Sequence, residues 1–426
     1  MRWRVTFRWW AAGSFALALA VRWLVWLRWY RDLELGFTDN LYYHESANLL
    51  ADGHGFVNPF TYLTDGTLEP TALHPPGFTV YLSIWSLLGL DTPSWHRLAG
   101  GLISALVVIP VGLLLRRLFD DRVAVVGMVL AALHPPLWMN DGLLLSESMY
   151  VTIAATVLWL AHRVWEEPSV RRVVELTVVL SVGALTRSEP FLLFFLLVLP
   201  LLLTHPRLDW RRRVERVALA AVLAMALLAP WVVRNLTTFD DPTFLAVGPG
   251  YVLEKGNCDL TYRGEFLGYW HTECDDGSAW PDGDESVIGT AKLERARAYI
   301  GDHLGEQPKV VAARVGRVMG LYRPFQSADF DAFFERRVAG HVDAGLVAHY
   351  LVLAAAIPGV ALWRRRSTLI PLGAVAGTSL LTAAMTFGVA RYRVGADVVF
   401  VVLAAVGVGG LLDRYRPATT RPEGTP

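Results

Sequence analysis

Two acids sit where acids are costly. Asp39 opens the polar stretch TDNLYYHESANLLADGHGF behind the first long apolar run, and Glu147 stands at the lip of the apolar stretch SESMYVTIAA. Carboxylates at the edge of a spanning helix usually face a cavity. Asp39 also suits a plainer role, because it precedes a helical run that ends at Asp52-Gly53, which is the pattern of an N-cap and a glycine stop. Asp141 is the alternative second acid, or simply marks the aqueous end of the preceding span. Tyr42, Tyr43 and His44 add stacking and titratable groups next to Asp39, while His74 in LHPPGF and Lys255 in YVLEKGNC are further polar groups near membrane ends. Arg187 and Glu189 in LTRSEP read either as a paired turn between two short helices or as part of a site. Arg391 and Arg393 lie in FGVARYRVGAD; a guanidinium fork matches phosphate oxygens, so either could hold a lipid phosphate, with snorkelling anchors as the alternative. Arg22, inside the first apolar run, either snorkels outward or faces the same cavity. Asp39, His44 and His74 are donor types that could in principle assemble a divalent metal site, although spacing does not establish it, and the sequence names no cofactor.

The elements that must position these groups are membrane helices. The chain has 426 residues, 54% of them hydrophobic, and a mean hydropathy of +0.37, which fits a polytopic membrane protein. Formal net charge is zero, so there is no basic footprint for nucleic acid. No P-loop, no GxGxxG after a strand and no GxSxG elbow is present, which leaves nucleotide-driven chemistry and triad hydrolysis without support. The first apolar run is too long for a cleaved leader and reads as an uncleaved first span.

Long apolar runs cover 9–29, 76–90, 97–115, 123–139, 145–163, 172–186, 189–204, 217–233, 345–363, 368–389 and 396–412. Placing the basic clusters at 116–117, 171–172, 211–213, 364–366 and 413–416 on the cytosolic side with the N terminus requires that one early run not cross. The short run 76–90, which begins HPPGF, is assigned as re-entrant or interfacial, leaving ten spans. The expected division is a membrane module 1–234 with a first external loop 30–96, an external domain 235–344 of mixed structure, C-terminal spans over 345–416 and a disordered tail 417–426. Residues 288–320 carry helical periodicity inside the external domain. Cys258 and Cys274 both fall in that domain, where a disulfide would imply an oxidising compartment; two free thiols is the plainer alternative.

The order of motifs resembles the GT-C superfamily of membrane glycosyltransferases, near the bacterial protein O-mannosyltransferases and lipid A aminoarabinose transferases. TDNLYYHESANLLADGHGF resembles the first external loop, LHPPGFTVYLSIWSLLGL the Pro-Pro segment beside the membrane and LLLSESMYVTIAA the acidic second loop. ALTRSEPFLL, APWVVRNLTTFDDPTFLAVGPGYVLEKGNC and FGVARYRVGADVVFVVLAA continue it to the C terminus. The resemblance implies an all-α polytopic fold and inverting transfer of a sugar from a polyprenyl-phosphate donor to a glycan, lipid or protein acceptor on the outer face of the plasma membrane. It also implies Asp39 as general base, Glu147 as the acid that helps shape the site, and Arg391 or Arg393 as phosphate contact. Where that family carries an acidic pair in its first loop, this chain has Asp39-Asn40. A lipid-linked sugar flippase and a non-catalytic envelope scaffold remain as alternatives; the scaffold would leave Asp39 and Glu147 far apart.

Overall fold

The computed structural model describes residues 2–414 except 276, 278, 279, 364 and 365. The tail 417–426 lies outside the described residues, as do parts of the basic clusters 364–366 and 413–416. Among the described residues the fold is helical throughout, with one isolated bridge between Val57 and Pro70. In chain order the helices are α1 (Arg2–Val25), α2 (Asp39–Ala51), α3 (Pro59–Asp65), α4 (Gly77–Leu87), α5 (Pro93–Ala105), α6 (Val108–Leu118), α7 (Asp121–Leu133), α8 (Glu147–Glu166), α9 (Val170–Thr186) and α10 (Leu199–Leu203). They continue with α11 (Trp210–Thr238), α12 (Gly248–Gly256), α13 (Asp259–Tyr262), α14 (Glu285–Asp302), α15 (Gln307–Val318), α16 (Pro324–Phe334), α17 (Ala339–Leu362), α18 (Ile370–Met385) and α19 (Val394–Arg414).

Among the described residues five stretches are long and apolar enough to cross a membrane: Phe7–Tyr30, Pro93–Leu118, Trp210–Thr238, Ala339–Leu362 and Ala390–Leu411. Gly77–Leu87 is an apolar helix of only 11 residues, too short to cross upright. The bundle is built around α19, whose Val398, Val401, Val402, Ala404 and Ala405 are all buried. Helices α17 and α19 approach at backbone distance: a Cβ on Gly359 would lie 1.9 Å from the Leu403 carbonyl, and one on Gly407 2.0 Å from the Ala355 carbonyl. Where lipid tails remove the hydrophobic drive between helices, such small-residue contacts supply the packing. Helix α11 lies at the periphery and exposes Val222, Met225 and Val233 along its length.

Between α11 and α17 the chain folds as α12 to α16. A mixture of structure was expected over 235–344, but the described residues there hold helices and loops and no strand. The periodic stretch becomes α14 and α15, while the Gly-, Asp- and Trp-rich stretch forms loops joined by the Cys258–Cys274 disulfide. This segment and the end of α11 pack on the chain that flanks α3. Arg234 donates to the carbonyls of Thr71 at 2.9 Å and Phe56 at 3.0 Å, and Val247 N–H donates to the Ala72 carbonyl at 2.9 Å. Glu285 accepts from the Thr71 hydroxyl at 2.8 Å and from the Ala72 N–H. On the other side, Gly388 N–H donates to the Gly268 carbonyl at 2.8 Å, which joins the segment to the turn before α19. Polar segments distant in sequence are thereby gathered at one end of the bundle.

Candidate active site

Asp39 is the first residue of α2, and Thr38, in extended backbone with φ −143°, is the N-cap. The Asp39 carboxylate is therefore free of capping and turns sideways. Glu147 is likewise the first residue of α8, following a buried loop in which Leu144 adopts a left-handed φ of 56°. Both acids thus sit in first helical turns, where unpaired backbone N–H groups favour negative charge.

One guanidinium joins them. Arg391, on the short 3-10 turn Ala390–Arg393 ahead of α19, directs Nη2 to Asp39 Oδ2 at 2.7 Å and Nε to Glu147 Oε1 at 2.9 Å. Its Nη1 lies 3.6 Å from Glu335 Oε1. Arg187 reaches Glu147 Oε1 through Nη1 at 2.7 Å and Glu189 Oε1 through Nε at 2.5 Å, and donates to the Ser146 hydroxyl at 3.1 Å. The paired-turn reading of Arg187 and Glu189 therefore holds, and Arg187 also belongs to the site. Arg337 holds Glu335 Oε2 at 2.6 Å and donates to Asn140 Oδ1 at 2.8 Å. Asp39, Glu147, Glu189 and Glu335 thus face Arg187, Arg337 and Arg391, leaving one negative charge in surplus.

The cluster opens at Asp39, whose side chain is 32% exposed against 1% for Glu147. His74 Nε2 stands 3.5 Å from Asp39 Oδ1, stacked on Tyr43 with centroids 5.0 Å apart and edge-on to Tyr42 at 4.9 Å. Burial raises the proton affinity of Asp39, but the Arg391 charge and the His74 ring outweigh it and hold the carboxyl well below the usual range. Asp331, which accepts from Tyr269 Oη at 2.8 Å, is pushed up to about 6 by burial and then by the neighbouring Glu335 charge.

Asp39, Tyr42, Tyr43, His74, Glu147, Arg187 and Arg391 are brought together; other candidates are not. Asp141 is buried against Arg22 at 3.0 Å, beside a crevice lined by Trp26, Arg97 and Trp138, so it is not the second acid of this cluster. That contact also accounts for Arg22, which snorkels nowhere. Arg393 is buried and tied to Asp397 at 2.9 Å and to the Val318 carbonyl at 2.7 Å, because the tight turn sends residues two apart to opposite sides. His44 turns its Nδ1 to His96 at 2.9 Å, away from Asp39. Asp39, His44 and His74 therefore do not converge on an ion, and no group of three or more His, Cys, Asp or Glu is placed to hold one among the described residues. Lys255 is half-buried on α12 with Nζ 5.8 Å from the Trp270 ring centroid; Trp270 meets Phe387, which stacks on Tyr392, the neighbour of Arg391. Asn235, first residue of an NLT triplet, is fully buried and donates to the Phe244 carbonyl at 2.8 Å, so it presents no glycosylation acceptor.

Glu335 and Arg337 were missed in the sequence. They lie in a short connection just ahead of an apolar run, and the available signal was FFERRV, an acid and two arginines at the mouth of a span.

Residues 73–233 match the family described as dolichyl-phosphate-mannose-protein mannosyltransferase. No curated protein matches the chain. Among solved structures, the chain is similar to the archaeal oligosaccharyltransferase AglB from Archaeoglobus fulgidus in complex with an inhibitory peptide and a dolichol-phosphate, with TM-score 0.53, 18% identity and coverage of 96% of this chain and 51% of that one. A complex of the Archaeoglobus fulgidus oligosaccharyltransferase with Zn and sulfate gives TM-score 0.54 and 15% identity over 94% of this chain and 49% of that one. ArnT from Cupriavidus metallidurans bound to undecaprenyl phosphate is matched at TM-score 0.41 and 17% identity, over 93% of this chain and 78% of that one. The chain spans about half the length of the archaeal enzymes. The match to the mannosyltransferase family is thus confined to residues 73–233, while over nearly the whole chain the fold is similar to that of the archaeal oligosaccharyltransferase.

Proposed function

We propose that the protein transfers a sugar from a polyprenyl-phosphate-linked donor to a hydroxyl-bearing acceptor, a glycan, lipid or protein, on the external face of the plasma membrane, with inversion. The observation that carries this function is the junction of Asp39 and Glu147 on the single guanidinium of Arg391. A non-catalytic scaffold has no need to converge two costly acids on one cation. The family description and the dolichol-phosphate named for the archaeal relative support a lipid-phosphate donor.

In the transfer, the acceptor oxygen bonds to the anomeric carbon as the bond from that carbon to the phosphate oxygen breaks. The acceptor proton passes to Asp39, and the bonding electron pair leaves with the phosphate. The transition state carries positive charge on the sugar and growing negative charge on the leaving group, so it needs a carboxylate on one side and cations on the other. Asp39, ionised at neutral pH and open to solvent, is the base. Its low proton affinity suits late transfer, once bond formation has acidified the hydroxyl. Glu147 fixes Arg391 from the buried side, Arg391 meets the leaving phosphate, and Tyr42, Tyr43 and His74 flank the sugar.

Orientation belongs to the same proposal: the N terminus is cytosolic, and 30–75 and 235–344 face outward as a first loop and an external domain. The Cys258–Cys274 disulfide supports an oxidising side for that domain. The test is sugar transfer by the full chain in nanodiscs from polyprenyl-phosphate sugars, with mass spectrometry of lipid-linked sugars and envelope glycans in a deletion strain to identify donor and acceptor. Full transfer by a folded Asp39→Asn variant overturns the mechanism.

A further inference from the structure

Glu335 and Glu189 are the carboxylates of the cluster that the proposed transfer leaves without a task, and Glu189 is held by Arg187 at 2.5 Å. A donor phosphate is an anion, and the cluster it must join already carries surplus negative charge, so one carboxylate has to give way. Glu147 cannot, being 1% exposed and gripped by Arg187 at 2.7 Å and Arg391 at 2.9 Å. Asp39 is needed for the acceptor proton.

Glu335 is held differently. Its Oε1 lies 3.6 Å from Arg391 Nη1, beyond hydrogen-bond length, whereas its Oε2 is gripped by Arg337 at 2.6 and 2.9 Å. Glu335 and Arg337 are two residues apart on the connection from α16 to α17, so they form a neutral pair carried on one short segment. Between them Arg336 is exposed, in left-handed backbone with φ 54°, and just before them Phe333 is 78% exposed. Arg337 stays anchored on Asn140 at 2.8 Å, so only the Glu335 side chain has to move. The Nη1 edge of Arg391 is thus loosely committed, covered at 3.6 Å by a carboxylate that has its own counter-ion.

We propose that Glu335 is a built-in competitor for the donor phosphate: it covers the Nη1 edge of Arg391 at rest, and the phosphate binds at that edge by displacing the Glu335 carboxylate toward Arg337. The proposal rests on the lipid-phosphate reading above. Glu335 is then a positioning residue that sets donor affinity, and its removal strengthens binding, whereas loss of a structural residue would weaken it.

The test is binding of farnesyl phosphate to the full chain in nanodiscs, with inorganic phosphate as a parallel probe. Glu335→Gln lowers the Kd for farnesyl phosphate about tenfold, the effect of removing one like charge from a partly screened site. Arg337→Gln releases Glu335 wholly to Arg391 and raises the Kd. A fall with inorganic phosphate in Glu335→Gln supports competition at the phosphate group itself. Wild-type binding with an unchanged or higher Kd in Glu335→Gln overturns the competitor role while leaving the lipid-phosphate reading intact; no binding by wild type overturns both. Where Glu335→Gln is not monodisperse, Arg337→Gln decides, and an unchanged or lower Kd there overturns the proposal.

Discussion

Replacing Arg391 with glutamine strips the cluster of its central cation, and the structure sets the size of the effect. Removing one partner of a buried ion pair costs roughly 3–5 kcal/mol, because the other charge is left uncompensated. Two features reduce that figure here. Glu147 keeps Arg187 at 2.7 Å, and Asp39 is 32% exposed, so solvent takes up part of its charge. About 2–3 kcal/mol remains, which for a chain of this size lowers the apparent Tm by roughly 3–5 °C. Glu147→Gln in the same background removes the stranded acid, so the double variant recovers part of the loss and the cycle shows a coupling of about 1–2 kcal/mol. Thermal unfolding of detergent-solubilised protein, followed by tryptophan fluorescence, measures all four corners. An Arg391→Gln protein as stable as wild type, or a double variant whose losses simply add, would refute the shared-cation geometry whatever the protein's activity.

Asp39→Asn keeps the helix start, since Thr38 is the cap, and lowers transfer by about 100-fold or more with Tm little changed. Because the folded Asp39 lies well below its usual value, it stays ionised through mild acid; kcat/KM therefore has no acid limb from this group above about pH 4, as a pH–rate profile would reveal. Glu285 behaves oppositely. Burial, only partly offset by its bonds to Ala72 and Thr71, pushes it up from 4.5 to about 7, so its contribution to stability is full below pH 4.5 and lost as pH rises through 7. Glu285→Gln should flatten the stability curve across that window in a pH series of melts. Cys258→Ser with Cys274→Ser opens a loop of sequence separation 16 and costs about 3 kcal/mol in stability, seen as earlier proteolysis of the segment between α12 and α14 and matched by reductant on wild type.

The acids of the site were legible because acids at membrane edges have few uses, and both Asp39 and Glu147 entered the cluster. Their partners were less so. Arg391 and Arg393 are two residues apart in a motif that treats them alike, and only the tight turn sends one to Asp39 and the other to Asp397. Asp141 looked exchangeable with Glu147 until Arg22, more than a hundred residues away in sequence, claimed it. Asp39 read as a cap because caps are read from local pattern, whereas its carboxylate is turned aside by Arg391 and His74, contacts that no local pattern contains. Segment 235–344 read as mixed because its loops are rich in Gly, Asp and Trp; the helices between them were visible in the 288–320 periodicity. Glu335 lay in a connection with no period at all.

The pairing of Asp39 with Arg391 joins residues 352 positions apart. During synthesis, then, the acid emerges 352 residues ahead of its counter-ion. Until the hairpin of α18 and α19 inserts, Asp39 and Glu147 stand in the nascent protein without their shared cation. A chain stalled before Ala390 would therefore present to quality-control proteases a bundle whose Asp39 and Glu147 still lack Arg391.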